Sequence, residues 1–468
     1  MENKRPLNLF TLVMINVTAV LSLSSIAYMA TIGLASIWFF ALAAIMFFIP
    51  SALVCAELSS MMHGDNGGVF TWVSRAFGEK TGLVAIWMEW FNNVISYAST
   101  LSALVATLAY LGFSGLDTDP HTMFVAMNII LWGVIFFNFS PISKIAMLNI
   151  VGALFGMILP GVLLIGCGIY WMFHGQIQVH FGEFSSYEPV MGFATFALFV
   201  KVLSSYSGIQ AVSFHSRNIQ KPERNIPLSM IIAVIVIFSL TSIATICLAS
   251  IIPSDKVNAM NGLIQGITIV LDKLNLHFLS GPISLCIALG MLAALSTWVL
   301  GPARAMQEVA RQGLIPHEFA AINKHGMPIN VLFIEGIIGT FLSLAFLYMP
   351  SIQAAFAMII ALTSQFTVFM FIMVFASAIY LRYKEPHTHR IFRVGPKGSN
   401  IGMILVASLG LISCGCGFFL GIFPPKFSHV QNISSYITLM IIADIIIIAI
   451  PFTYIGFKSY IKNSMNNT

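Results

Sequence analysis

Apolar stretches long enough to cross a bilayer recur from Leu7 to Phe457, separated by short polar segments. A membrane-spanning helix needs about 20 predominantly apolar residues. Twelve stretches meet that length: 8–33, 35–60, 81–112, 121–139, 146–173, 192–216, 227–252, 282–302, 329–348, 353–382, 401–421 and 435–457. They are much longer than barrel strands, and a lipid-facing backbone must satisfy its own hydrogen bonds, so helices are expected throughout. The region 254–280 breaks the pattern. It mixes Asp255, Lys256, Asp272 and Lys273 with apolar residues and reads as an outer-face loop carrying an amphipathic helix. The predicted fold class is an all-α integral membrane protein of about twelve transmembrane helices in one polytopic domain, residues 1–468.

Composition supports a lipid surroundings. Charged residues make up 8% of the chain and hydrophobic ones 58%, whereas a soluble domain carries about 25% charged residues. The net charge of +5 points to cytoplasmic loops, not to nucleic acid, because basic residues concentrate on the inner side of membrane proteins. With the N-terminus placed inside, 18 of the 22 Lys and Arg residues fall on the inner side, three fall outside and Lys201 lies within span 6. That asymmetry supports both the count of spans and cytoplasmic termini. No cleavable leader is expected, since the N-terminus runs directly into span 1 without a small-residue cleavage site. The six cysteines all sit in apolar stretches and read as small hydrophobes, not as disulfides or metal ligands. No cofactor or metal is expected.

Two spans lose their helical character at matching places. Span 1 contains Leu21, Ser22, Leu23, Ser24 and Ser25; span 6 contains Ser204, Ser205, Tyr206, Ser207 and Gly208. Serine competes for backbone hydrogen bonds and glycine loosens a helix. If both helices unwind there, the half-helix ends expose amides and carbonyls that hold a carboxylate and a cation. In membranes such serines also simply bond back one turn. Spans 1 and 6 are the first members of two five-span sets, residues 8–173 and 192–382, followed by 401–457. This predicts an inverted repeat with the substrate site between its halves.

Four stretches carry a family pattern. They read FFIPSALVCAELSSMMHGDNGGVFTWVSRAFG from Phe47 to Gly78, SYSGIQAVSFHSRNIQKPERNIPLSM from Ser205 to Met230, STWVLGPARAMQEVARQGLIPHEFAAINKHGMPI from Ser296 to Ile329, and RYKEPHTHRIFRVG from Arg382 to Gly395. In these the chain resembles the amino acid–polyamine–organocation superfamily and, within it, the bacterial glutamate/γ-aminobutyrate antiporter family. The resemblance implies a ten-helix inverted-repeat core plus two helices. It further implies exchange of amino acids or their decarboxylation products across the bacterial inner membrane by alternating access. Trp298 matches the family's Trp-x-x-Gly-Pro and reads equally as lining the chamber or as a packing aromatic. There are departures. Ser24-Ser25-Ile26-Ala27 stands where a Tyr-Glu-Tyr-Pro-like stretch is usual, Gly208-Ile209-Gln210 replaces Gly-Ile-Glu, and Asn218 and Ala294 replace acids. The chain is also expected to lack a C-terminal plug. These departures weigh against glutamate exchange and an acid gate.

The expected function is secondary active transport of amino acids, as an antiporter. A proton-coupled permease, a glutamate/γ-aminobutyrate exchanger and a transporter-like channel or sensor stand as alternatives. A channel would show a charge ring or carbonyl filter, and a membrane enzyme a catalytic cluster; neither motif occurs. A serine-lined chamber suits a small neutral amino acid first and anionic glutamate second, with Lys201 as counter-charge. Lys201 reads equally as a side chain snorkelling to the outer boundary or as one facing the chamber, where loss of its proton would couple transport to protons. Glu57, Glu89 and His215 complete the coupling or gating candidates, since intramembrane ionisable residues are functional suspects. The two glutamates also suit bonds to loops, and His215 a structural role. Trp90, Phe91 and Tyr97 read chiefly as packing, and Asp444 as packing against a neighbouring helix. The basic segment 382–397 reads as an anchor near anionic lipid. Expected partners are therefore an amino acid, membrane lipid and protons.

Overall fold

The computed structural model describes residues 8–62, 68–113, 115–179, 181–183, 187–188, 192–211, 219–349, 351–424 and 432–466. Among them ten helices are long and apolar enough to cross a membrane: Gly33–Met61, Glu79–Leu111, Pro120–Phe137, Ile142–His174, Pro222–Ile251, His277–Arg311, Ile329–Tyr348, Ile352–Lys384, Ile401–Leu420 and Ile433–Gly456. These are spans 2 to 5 and 7 to 12. Spans 1 and 6, the two interrupted ones, are not among these ten. Span 1 is split into Leu9–Val20 and Leu23–Ala30. Span 6 is helical over Phe193–Ser205 and resumes as a short turn at Ile209.

Local signals explain several helix starts. Asn8 caps span 1 by accepting from the Thr11 amide, Asp119 caps span 4 by accepting from Thr122, and Ser351 caps span 10 by accepting from Ala354. Each short polar side chain meets an amide that the first helical turn leaves without a partner. Spans 2, 3 and 10 form the protein interior, with 67%, 61% and 72% of their apolar windows buried, against 17% for span 12. Span 12 therefore presents most of its surface to lipid.

Two helices lie beside the spans. Gly262–Lys273 is the amphipathic helix expected after span 7. Its Leu263, Ile264, Ile267 and Val270 join Ile26, Ala27 and Ala30 of span 1 and Leu164 of span 5 in a second apolar cluster. Gly68–Phe77 corrects the expectation of a plain loop between spans 2 and 3. Its Val69, Phe70, Trp72, Val73 and Ala76 are buried, a helical periodicity hidden by the preceding polar run. Gly78, at φ +96°, turns the chain from this helix into span 3.

The basic segment after span 10 is bound to protein more than an anchor reading requires. Arg382 donates from Nε and Nη2 to the two carboxylate oxygens of Glu57, both at 2.6 Å. Arg390 Nε lies 3.1 Å from Glu57 Oε1, and the Val394 amide donates to Oε2 at 2.7 Å. Both Glu57 and Arg382 are almost completely buried, at 2% and 1% exposure. Beside them Arg75 forms a two-pronged bond to Glu385 at 3.0 and 2.8 Å, and its guanidinium holds that carboxyl below the usual carboxylate range. Spans 2 and 10 and the segment 382–394 are thereby locked into one body. Removing one partner of a buried ion pair costs about 3–5 kcal/mol. Glu57→Ala is expected to lower unfolding stability by that amount in mixed-micelle denaturation, against an unchanged midpoint if the pair were incidental.

Candidate functional site

The span 1 break is narrower than its serine cluster. Leu21 and Ser22 are extended, with ψ 110° and 112°, and the helix restarts at Leu23. In span 6 the helix ends at Ser205, and the break covers Tyr206, Ser207 and Gly208. The serines also bond back one turn: Ser204, Ser205 and Ser207 donate to the carbonyls of Lys201, Val202 and Ser204 at 3.0, 2.8 and 2.6 Å. Both behaviours expected of these residues thus occur together.

The two breaks meet. Gly208, at φ +114°, lies so close to span 1 that a β-carbon there would sit 2.7 Å from the Ala19 carbonyl oxygen and 3.2 Å from the Trp298 ring. Only glycine accepts both that dihedral and that approach. The side-chain amide of Gln210 folds back so that its Oε1 accepts from the Gly208 amide at 2.8 Å, and its Nε2 donates to Glu89 Oε1 at 3.2 Å. Gln210 therefore ties the broken backbone of span 6 to the interior of span 3.

Around this junction lies a cavity of about 180 Å³. Of the residues picked out by sequence, Ser22, Leu23, Ser24, Ser204, Ser205, Ser207, Trp298, Lys201 and Glu89 line it. Thr363, Thr367 and Met370 of span 10, Asn92, Ser96 and Ser99 of span 3, and Ala294 of span 8 complete the polar and small faces. Ala294, where the family pattern carries an acid, leaves room there. Lys201 and Glu89 are the ionisable groups of this lining among the described residues. Lys201 also borders a smaller pocket with Tyr28, Ser364 and Phe423.

Other candidates do not line it. Ser25 is buried, and Gly208 contributes backbone spacing. Tyr206 turns away and stacks on Phe48 at 4.4 Å with an interplanar angle of 6°. Glu57 is committed to the arginines of the basic segment, and His215 lies outside the described residues.

One buried acid escaped notice in the sequence. Glu335 of span 9 is fully buried and accepts from Trp90 Nε1 at 2.6 Å and from Tyr97 Oη at 3.1 Å. Tyr97 Oη also lies 3.4 Å from the Trp298 carbonyl oxygen. Trp90 and Tyr97, expected to be packing residues, therefore link span 9 to span 8 beneath the cavity-lining Trp298. A single Glu in an apolar run, far in sequence from both donors, gives no spacing signal for such a network.

A helical bundle with two facing interrupted spans around a polar cavity defines a membrane solute transporter. The fold has a solved counterpart. It matches the crystal structure of MhsT in complex with L-phenylalanine with a TM-score of 0.60 at 13% identity, over 88% of this chain and 98% of that one. The chain belongs to the amino acid permease family, whose sequence profile matches residues 7–462. It is 31% identical over 459 residues to an uncharacterised transporter of Legionella pneumophila, covering 97% of each protein. It is 28% identical to the glutamate/γ-aminobutyrate antiporter of Lactococcus lactis, over 96% of this chain and 90% of that protein. The chain is thus a multi-pass membrane transporter, as its sequence led one to expect.

Gly208 offers a direct check of the junction. Forcing a side chain into a sparsely allowed backbone region costs about 1–3 kcal/mol, equivalent to roughly a tenfold to hundredfold effect on a coupled equilibrium. Gly208→Ala is expected to insert and purify normally while amino acid exchange in proteoliposomes falls by that factor. Unaltered exchange would mean that the approach of the two breaks is dispensable.

Proposed function

We propose that the protein exchanges amino acids across the bacterial inner membrane by alternating access, with both termini cytoplasmic. Residues 8–173 and 192–382 act as inverted repeats, and the cavity between spans 1, 3, 6, 8 and 10 is the substrate site. The observation that carries this reading is one cavity lined by both helix breaks and by Lys201 and Glu89. The N-terminal end of Leu23–Ala30 opens onto it at Ser22, and the C-terminal end of Phe193–Ser205 opens onto it at Ser204 and Ser205. The first end favours an anion and the second a cation. No reaction chemistry is needed by this arrangement, so the protein acts as a carrier and not as an enzyme. Surrounding lipid covers the apolar outer faces.

In this reading Lys201 meets a substrate carboxylate. Among the described residues its ammonium has no hydrogen-bond or ion-pair partner, and a charge left unmet in a membrane interior is costly. A carboxylate supplied by the substrate removes that cost. The same group favours a second reading, proton-coupled uptake, in which Lys201 releases its proton during the cycle. The serine-lined walls suit small neutral amino acids, and Lys201 suits L-glutamate or γ-aminobutyrate, the substrates in the name of the Lactococcus lactis relative.

Counterflow separates these possibilities. Purified protein in liposomes loaded with single amino acids is expected to accelerate uptake of a labelled one only when a transported species is inside. Uptake into empty liposomes driven by a pH gradient would favour the permease instead. Losing a charge-assisted hydrogen bond weakens binding roughly tenfold to hundredfold. Lys201→Ala is expected to lose exchange by that factor while inserting normally, whereas a snorkelling lysine would leave the kinetics unchanged.

A further inference from the structure

Span 3 presents two unmet acceptors on one face of a single helical turn. Glu89 and Asn92 are three residues apart, a spacing that sets side chains side by side on a helix surface, and both line the cavity. Glu89 is 1% exposed. Its Oε1 is held by Gln210, but its Oε2 accepts from nothing among the described residues. Asn92 Oδ1 is equally buried and equally without a donor. The neighbouring amide of Asn93 is already committed, donating from Nδ2 to the Glu89 carbonyl oxygen at 2.7 Å.

Buried acceptors are seldom left unpaired, and an unpaired carboxylate is the costliest case. With Glu89 ionised, a single hydrogen-bonding partner that meets both acceptors carries positive charge and donates more than one hydrogen bond. An ammonium group has three donors and no acceptor. The geometry points to Glu89 and Asn92 as the subsite for the ammonium group of the transported amino acid, an inference that rests on the exchange reading above. Gln210 positions the subsite by fixing Glu89 Oε1, which leaves Oε2 for the cavity. Because Gln210 also holds the Gly208 amide, filling the subsite acts on the broken part of span 6. Lys201 lies on the other side of the span 6 break from Gln210.

Sodium has the charge but no hydrogen to donate, so the two sources of positive charge are separable. The full-length protein in proteoliposomes is assayed with three pairs of compounds that differ only in the amino group: L-glutamate and glutarate, L-alanine and propionate, γ-aminobutyrate and butyrate. In the unaltered protein at least one amino-bearing member exchanges, while its partner lacking the amine fails to compete. Replacing sodium by choline changes nothing. Glu89→Gln, nearly identical in shape, is expected to reduce the preference for the amino-bearing member roughly tenfold to hundredfold, and Asn92→Ala to reduce it by less. Both variants are first checked for normal size-exclusion profiles. If Glu89→Gln does not fold, Asn92→Ala alone decides, and an unchanged preference in it overturns the subsite. Full discrimination retained in Glu89→Gln, or a sodium dependence that this variant abolishes, likewise overturns it. Failure of every pair in the unaltered protein would overturn the exchange reading itself, a result distinct from either.

Discussion

A lipid bilayer offers no water to a peptide group, so every backbone break inside it must be satisfied by protein. Two such breaks face each other here, and much of the interior is arranged around them. The Leu21 amide still reaches the Val17 carbonyl at 2.8 Å, Ser25 reaches Ser22 at 3.2 Å, and Ser207 reaches Ser204 at 3.1 Å. The Gly208 amide turns to a side chain, Gln210. What remains unmet faces a polar cavity, the one place at membrane depth where irregular backbone is tolerated.

The buried charges divide along the same line. Glu57 is saturated by Arg382, Arg390 and a backbone amide, so it holds architecture together at the basic end of spans 2 and 10. Glu335 is met by two neutral donors that bind spans 3, 8 and 9. Glu89 and Lys201 differ in kind: both line the cavity, and Glu89 Oε2 has no hydrogen-bond partner among the described residues. Around them the packing is close. Gly156 and Gly290 bring spans 5 and 8 into backbone contact, since a β-carbon on Gly156 would fall 2.2 Å from the Gly290 nitrogen.

The fold was largely legible in the sequence because span length and apolar content follow directly from bilayer thickness. The breaks were legible too, through serine clusters at Ser22–Ser25 and Ser204–Gly208, though backbone geometry narrows each to two or three residues. Side-chain direction was not. Lys201 could point to the boundary or the cavity, and Tyr206 sits within a serine cluster yet stacks on Phe48, because rotation about a helix axis depends on neighbours far away in the chain. The partners of Glu57 lie 325 residues or more along the sequence, and those of Glu335 lie 238 and 245 residues away. No local spacing encodes such pairs. The helix at Gly68–Phe77 was missed for a simpler reason: it is too short to look like a span and follows a polar run.

The central claim is that substrate is held by the two facing breaks. Hydrogen–deuterium exchange of the purified protein, with and without an amino acid that it exchanges in counterflow, addresses that claim most directly. The amides of Ser22, Leu23 and Ile209 should exchange rapidly in the empty protein and slow markedly when the amino acid is present, while mid-span amides of span 10 stay protected throughout. Breaks as protected as span 10 in the empty protein, or indifferent to the amino acid, would contradict a substrate site at this junction.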